Sequence, residues 1–358
     1  MAKIDVLLPV RNGLEFLAES LDSVCNQSFK DWRLIILDHG STDGSRELAQ
    51  VYQERDPRIV VHSFPKANGL ADLLNMGMDL ADCEYLMRHD ADDICYPERM
   101  AITLAAFSRE PECIVIGGQS DVINGAGENI GENCMPVGRN RVAAASLFRN
   151  PISHPTAMLR FSESQKLGVR YGVDFLNVLP SEKSLEVKTL AEDYFLFGQL
   201  AILGKCTNLS DKLIKYRWHG NNISSTKYDE QLIVALQVSR FLMRCFSQIH
   251  NSPWVDPAPF CNHGGILFDV NKSKNFDEKY LQIEKILRAG FGDSDGLTRE
   301  LTFRGVISSR REWELLWRYN KFRSQVVTET GEWNAIRSWL IRHFPGKARK
   351  SVVSDDFF

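Results

Sequence analysis

Tyr85-Leu86-Met87-Arg88-His89-Asp90-Ala91-Asp92-Asp93 runs a short apolar segment straight into an acidic cluster. Tyr85 to Met87 reads as a buried strand, and the carboxylates stand where it ends. The same alternation of apolar run and helical spacing repeats upstream. Ile4 to Val10 is continuous and apolar, is closed by Pro9 and the Arg11-Asn12-Gly13 turn, and is followed by Leu14, Leu17, Leu21 and Val24 at helical intervals. Leu34 to Leu37 is a second buried strand. The loop His39-Gly40-Ser41-Thr42-Asp43-Gly44 is rich in helix-capping residues and predicts a helix to about Glu54. Arg58 to His62 is a third strand, and Leu70, Leu73, Leu74 and Met78 mark the helix before the acidic cluster. Uninterrupted apolar strands alternating with helices predict an α/β fold, a mostly parallel sheet with helices on both faces.

Downstream the pattern loosens. A helix over Pro97 to Arg109, a strand at Cys113 to Ile116, a hairpin or loop over Asn124 to Gly138, a helix over Glu192 to Leu203 and a strand over Leu213 to Trp218 are expected. Residues 161–190 carry no clear period. Composition shifts at about residue 225, which divides the chain into residues 1–225 and a mainly helical region, 226–358. Within that region residues 229–249 are amphipathic, and 250–275, rich in Pro, Asn and Gly, read as a connection.

The 358 residues carry 43 Lys and Arg against 46 Asp and Glu, a net charge of -3, which argues against a nucleic-acid binder. A hydrophobic share of 44% with 25% charged residues is globular composition. No run of 18 apolar residues predicts a membrane span. Met1 to Val10 enters a strand at once and is too short for a signal peptide. Eight scattered cysteines without a CxxC pair fit a reducing cytoplasm.

Asp90 and Asp92, two apart on an extended chain, would face one site at the carboxyl end of a parallel strand, where ligands of open α/β sheets gather. Paired carboxylates suit Mg²⁺ or Mn²⁺ with positions left for phosphate oxygens; a solvated loop capping the next helix is the plainer alternative. Arg88 shares that face, where it would neutralise the cluster or approach a phosphate, the first being preferred. Pro9-Val10-Arg11-Asn12 and Asp38-His39-Gly40-Ser41 occupy corresponding strand-to-helix turns suited to a nucleotide. Asp38 could accept from a base N–H; alone it is better read as a helix cap. Neither a dinucleotide fingerprint nor a P-loop is present.

The segments LLPVRNG, LDHGSTDGS, LLNMGMDLADCEYLMRHDADDICYPERM, NPISHPTAMLR, AEDYFLFGQLAILGK and YRWHGNNIS follow in that order. Together, over residues 3–225, they resemble a family 2 glycosyltransferase of the GT-A fold, of the kind found in bacterial polysaccharide, O-antigen or capsule assembly. The resemblance implies inverting, metal-dependent transfer of a sugar from a nucleotide-sugar donor, UDP-linked first, to a hydroxyl of a glycan or lipid-linked glycan. It implies a DxD in Asp90 and Asp92, with Asp90 also near the donor ribose. Asp38 would recognise uracil, with Pro9 and Arg11 lining the base. Asp193 would be the catalytic base and His219 a metal ligand, with Mn²⁺ or Mg²⁺ as cofactor. His154 would help build the sugar pocket or serve as a satisfied turn histidine. Asp193 opens a helical segment, where a carboxylate is also favoured by the helix dipole, and His219 is equally a surface histidine. The chain departs from the common pattern at His39, where many relatives carry Asp, and at Leu73-Leu74-Asn75, where many carry Ala-Arg-Asn. The second departure leaves thymine beside uracil. A non-catalytic nucleotide- or glycan-binding subunit and a nucleotidyltransferase are the competing readings.

Residues 304–350 carry eleven Lys and Arg against four Glu, with four of the seven tryptophans: Trp313, Trp317, Trp333 and Trp339. Trp333, Ile336, Leu340 and Phe344 recur at helical spacing. A basic, Trp-bearing amphipathic helix suits peripheral contact with an anionic membrane, at the cytoplasmic face of the inner membrane. Packing of these aromatics onto the catalytic region, with the basic residues solvated, is slightly preferred.

Overall fold

The computed structural model describes residues 2–219, 227–261, 276–309 and 311–343. Nine strands form one sheet. They are β1 (Ile4–Val10), β2 (Trp32–Asp38), β3 (Ile59–Ser63), β4 (Tyr85–Arg88), β5 (Ile94–Cys95), β6 (Val115–Ile123), β7 (Asn129–Asn133), β8 (Met158–Arg160) and β9 (Cys206–Arg217). Their order is β3-β2-β1-β4-β8-β6-β9-β5, with β7 beside β6. The expected parallel sheet is the half β3-β2-β1-β4. Beyond β4 the sheet is mixed, because β8 runs antiparallel to both β4 and β6.

The even and odd positions of β1 explain its unbroken apolar run. Ile4, Val6, Leu8 and Val10 pack under α1 (Leu14–Cys25) and α4 (Arg99–Arg109), while Leu7, with Ile35 and Leu37 of β2, packs under α3 (Leu70–Leu80). A strand covered on both faces has no polar side to alternate with. The helix α2 (Ser45–Arg55) follows the capping loop after β2, as its residues predict. The register aligns Val10 with Asp38 and Leu7 with Arg88, so β1, β2 and β4 deliver their carboxyl ends to one edge.

Residues 161–190, unreadable by period, hold only α6 (Phe161–Lys166) and a single 3₁₀ turn at Ser181–Lys183. They are followed by α7 (Glu192–Ile202). The proposed boundary near residue 225 and most of the 250–275 connection lie outside the described residues. The C-terminal helices are α8 (Tyr228–Ile249), α9 (Phe276–Phe291), α10 (Asp295–Ile307), α11 (Glu312–Gln325) and α12 (Thr330–His343). Leu236, Leu242 and Phe246 of α8, Leu287 of α9 and Leu301 of α10 share one core with Leu147 and Phe148 and with Phe195 of α7. Among the described residues α8 alone is long and apolar enough to cross a membrane, and more than half of that stretch is buried against protein. Its hydrophobicity is thus accounted for by this core.

Arg141, on α5 (Arg139–Ser146), ties the two regions together. Its guanidinium donates to Glu329 at 2.6 Å, to Glu332 at 3.3 Å and to Glu300 at 3.4 Å, and Arg299 and Arg304 complete the network. Glu300 and Glu332 are almost wholly buried, so removing a cation leaves charge in a medium that cannot hydrate it. Arg141→Ala is expected to destabilise the protein by about 3 kcal/mol, Arg299 and Arg304 retaining part of the compensation. An unchanged urea midpoint would refute this.

Candidate active site

The acidic cluster leaves β4 as a turn. Asp90 and Asp92 do not share a face of an extended strand, because the chain turns at Ala91 and Asp92; they come together across that turn. Its shape is set from beneath. His89 is fully buried and its pKa lies well below the ordinary value, through burial and the nearby guanidiniums of Arg99 and Arg88. Arg99 approaches His89 Nδ1 at 3.2 Å. Because a guanidinium can only donate, Nδ1 accepts and Nε2 carries the proton. Nε2 then donates to Ser20 Oγ at 3.1 Å, and Ser20 donates to the Asp90 carbonyl at 2.9 Å. Three buried side chains from α1, β4's exit and α4 thereby hold the Asp90 backbone.

Arg88 is buried, with Nη2 donating to Asp90 Oδ1 at 2.5 Å. This pair offsets the charge of Asp90. Asp92 pairs instead with His219, Nε2 to Oδ2 at 2.9 Å. Burial and the neighbouring Asp90 raise the Asp92 pKa, and His219 lowers it. His219 follows β9 and lies against the Phe16 ring of α1, centroids 5.3 Å apart. Asp93 is fully buried: Oδ1 accepts the Arg217 N–H at 2.8 Å, and Oδ2 has no hydrogen-bond partner. Burial and the carboxylates of Asp90 and Asp92 push its pKa well up. The Arg217 guanidinium donates to the Asp92 carbonyl at 2.9 Å, which anchors the turn from β9.

The turns after β1 and β2 lock onto each other. Asn12, at φ 53°, donates its N–H to Ser41 Oγ at 3.1 Å; Gly13 N–H donates to Ser45 Oγ at 3.0 Å, and Leu14 N–H to Asp43 Oδ2 at 3.0 Å. The first N–H groups of α1 are therefore capped by the second loop rather than left for an anion. Asp38 is buried at the end of β2, with Oδ1 accepting the Ser41 N–H at 3.0 Å and Oδ2 accepting the Ser63 hydroxyl at 3.0 Å. It is not the helix cap its plainer reading predicts, because α2 is N-capped at Gly44 and Asp38 holds the preceding loop instead; each oxygen keeps a lone pair for a base N–H. Pro9 is buried within β1, and Arg11 is exposed at the turn.

Asp193 lies in the first turn of α7, and its Oδ2 accepts from Asn150 Nδ2 at 2.7 Å. Burial raises its pKa, while the Tyr194 N–H, Asn150 and Arg88 lower it. Its neighbour Glu192 is 7% exposed, has a buried Oε2 with no partner, and is pushed up to about 7 by burial and by Asp193. His154 Nε2 lies 3.0 Å from the Tyr171 hydroxyl, its ring against those of Tyr171 and Phe197. Burial and Arg88 lower the His154 pKa well below the usual value, so the ring is neutral. Burial raises the Tyr171 pKa, and Asp193, Glu192 and Asp90 raise it further. Asp90, Asp92, Asp93 and Asp193 together raise Tyr216 beyond the effect of its burial. The two acidic groups, about 100 residues apart in sequence, thus both act electrostatically on Tyr216.

Several residues of this site escaped sequence reading. Asn150 and Glu192 stand inside segments already singled out and Tyr171 in the stretch without a clear period, and only the fold shows their contacts. Asn75 exchanges hydrogen bonds with the Tyr171 backbone at 2.9 and 3.0 Å. Leu74, where relatives often carry Arg, is in the core. Among the described residues no group of three or more His, Cys, Asp or Glu side chains is placed to hold a metal ion. The nearest arrangement is open: the Asp92–His219 pair with Asp90 across the turn.

Residues 5–163 match the family described as Glycosyl transferase family 2. An uncharacterized glycosyltransferase of Haemophilus influenzae is 27% identical over 252 residues, which cover 66% of this chain and 72% of that one. The putative glycosyltransferase EpsE of Bacillus subtilis is 33% identical over 116 residues, 32% of this chain and 42% of EpsE. The crystal structure of S. aureus TarS 1-349 in complex with UDP-GlcNAc superposes with a TM-score of 0.52 at 16% identity, covering 90% of this chain and 91% of that one. Sheet order, acidic turn and family match converge on one assignment: the chain carries a family 2 glycosyltransferase domain on a GT-A fold and is a glycosyltransferase.

Proposed function

We propose that the protein is an inverting, metal-dependent glycosyltransferase. It takes a sugar from a UDP-linked donor and passes it to a hydroxyl of a glycan or lipid-linked glycan in surface-polysaccharide assembly at the cytoplasmic face of the membrane. The observation that carries this reading is the Asp193 carboxylate, raised in pKa, held by Asn150 and acting with Asp90 and Asp92 on Tyr216.

Direct attack of a hydroxyl on the anomeric carbon needs one base, and no second carboxylate as nucleophile. Asp193 Oδ1, the oxygen not engaged by Asn150, takes the acceptor proton. A base works best when its pKa is close to the working pH, and burial moves Asp193 in that direction. His154 and Tyr171 shape the sugar side, and Asp38, Pro9 and Arg11 the base side. The chemistry of the donor set fits a dication: carboxylate and imidazole suit Mn²⁺ better than Mg²⁺, and a two-ligand site leaves room for diphosphate oxygens. Asp92 and His219 would hold it, with Asp90 moving from Arg88 to join them or to meet the donor ribose. When bound, such an ion stabilises charge on the leaving diphosphate. The domain division at about residue 225 is retained within this proposal, the first part catalytic and the second helical.

The direct test is release of UDP and labelled product from a panel of UDP- and TDP-sugars with Mn²⁺; no turnover of any nucleotide sugar would reject the reading, and pyrophosphate release from a nucleoside triphosphate would replace it. A pH profile adds a second check. The base must be ionised, so kcat is expected to rise with pH through an apparent pKa above the ordinary carboxylate range, the direction in which burial moves Asp193. Activity that stays flat down to pH 5 would count against the pair.

A further inference from the structure

We propose that the outer face of α11, together with Val327 and Trp333, is a docking surface for an anionic lipid bilayer. Leu315, Tyr319 and Phe322 turn the inner face of α11 into the core. At 100° per residue the opposite face carries Trp313, Leu316 and Trp317. A helix packed on a domain presents polar residues there. Here Trp313 is 64% exposed, Trp317 61% and Leu316 45%. Beyond the end of α11, Val327 is 89% exposed, and Trp333 of α12, stacked on Tyr319 with centroids 6.0 Å apart, is half exposed. A groove of about 810 Å³ lies between them, lined by Tyr319, Arg323, Val327 and Trp333. The face expected from sequence to be amphipathic, Trp333-Ile336-Leu340-Phe344, is in contrast divided: Ile336 is buried and Leu340 packs on the core, while Phe344 lies outside the described residues.

Charge selects the occupant. Arg311, Lys321, Arg323 and Arg337 are exposed around these aromatics, with Lys321 Nζ 5.9 Å from the Trp317 ring. The acidic residues are largely engaged: Glu314 pairs with Arg318 at 2.7 Å, and Glu329 and Glu332 meet Arg141 and Arg299. Glu312 is the acidic residue of α11 with no such pairing among the contacts described. The sequence continues beyond α12 with Lys347, Arg349 and Lys350. Tryptophan with a basic surround matches the headgroup boundary of an anionic membrane, where indole rings insert and cations meet phosphates. A second copy docked face to face would set the same cations against each other, which favours lipid. The surface deepens the lipid-linked acceptor reading, but binding is measured without donor or acceptor, so either can fail alone.

The test uses the full chain and vesicles of phosphatidylcholine with or without about one-third phosphatidylglycerol, at low salt where such attraction is felt. Wild type is expected to co-sediment with the anionic vesicles only, with a blue shift of its tryptophan emission. The variant Trp313→Ala/Trp317→Ala/Trp333→Ala and the variant Lys321→Glu/Arg323→Glu are each expected to lose about tenfold or more of the partition coefficient. Both should keep the wild-type melting curve and turnover of a soluble acceptor. Wild type remaining in the supernatant, equal binding to neutral vesicles, or undiminished binding by the folded triple-tryptophan variant overturns the proposal. A tryptophan-dependent dimer that does not bind vesicles replaces it with self-association. Should the triple variant fail to fold, the wild-type emission shift and the charge-reversal variant decide the matter.

Discussion

Asp193→Asn is expected to lower kcat for sugar transfer by a factor of about 10² to 10⁴, with UDP affinity in Mn²⁺ unchanged within twofold. The substitution keeps the shape of the side chain and its place in the first turn of α7. Its amide oxygen can still accept from Asn150 Nδ2, which now donates to Asp193 at 2.7 Å. What it loses is the ability to take a proton. The neighbouring Glu192 supplies the control, because its Oε2 is buried and out of reach of an acceptor. Glu192→Gln should therefore leave most of kcat while shifting the acid limb of the pH profile, since the Asp193 charge raises Glu192 and a charge on either opposes ionisation of the other. If Asp193→Asn transfers within threefold of wild type, Asp193 is not the base. If Glu192→Gln is the more damaging change, the assignment moves by one residue.

The sequence exposes the parallel half of the sheet because burial on both faces writes itself as unbroken apolar runs, as in Ile4 to Val10. It conceals β8 because a short strand of an antiparallel return lacks that signature; Met158–Arg160 is three residues long. The same limit applies to the site. Asp90, Asp92 and Asp193 stand in motifs whose order can be read along the chain. Their geometry depends on contacts that no local spacing encodes: His89 through Ser20 to the Asp90 carbonyl, Asn150 to Asp193, Tyr171 to His154. The period-two argument for Asp90 and Asp92 reached a real juxtaposition through a wrong premise, since the chain turns between them. The helical caps misled in another way. Ser41, Asp43 and Ser45 do cap, but they cap α1 across the gap rather than only the helix that follows them. The tail's tryptophans divide, Trp339 inward and Trp313, Trp317 and Trp333 outward, because helical spacing fixes which residues share a face but not which face meets the core.

Asp92→Ala is expected to abolish the part of UDP binding that depends on Mn²⁺, a loss of about 100-fold or more in affinity, beyond what removal of a supporting group around a metal costs. Asp90, Asp92 and the buried Asp93 crowd one turn, and each carboxylate raises the pKa of a neighbour. Arg88 answers Asp90 and His219 answers Asp92, at 2.5 and 2.9 Å. Removing Asp92 relieves one repulsion and breaks one partly exposed pair, so stability without metal should change by less than about 1 kcal/mol. The response to ligand should change far more. At UDP and Mn²⁺ levels near 100 times the dissociation constant, the wild type gains about 2.7 kcal/mol by mass action, and the variant should gain almost none. His219→Ala should fall between the two, since it removes one donor and keeps the carboxylate. Thermal melts with Mn²⁺ alone, UDP alone and both together separate these cases. A full Mn²⁺-dependent shift in Asp92→Ala would put the dication elsewhere and leave Asp92 as a partner of His219 only.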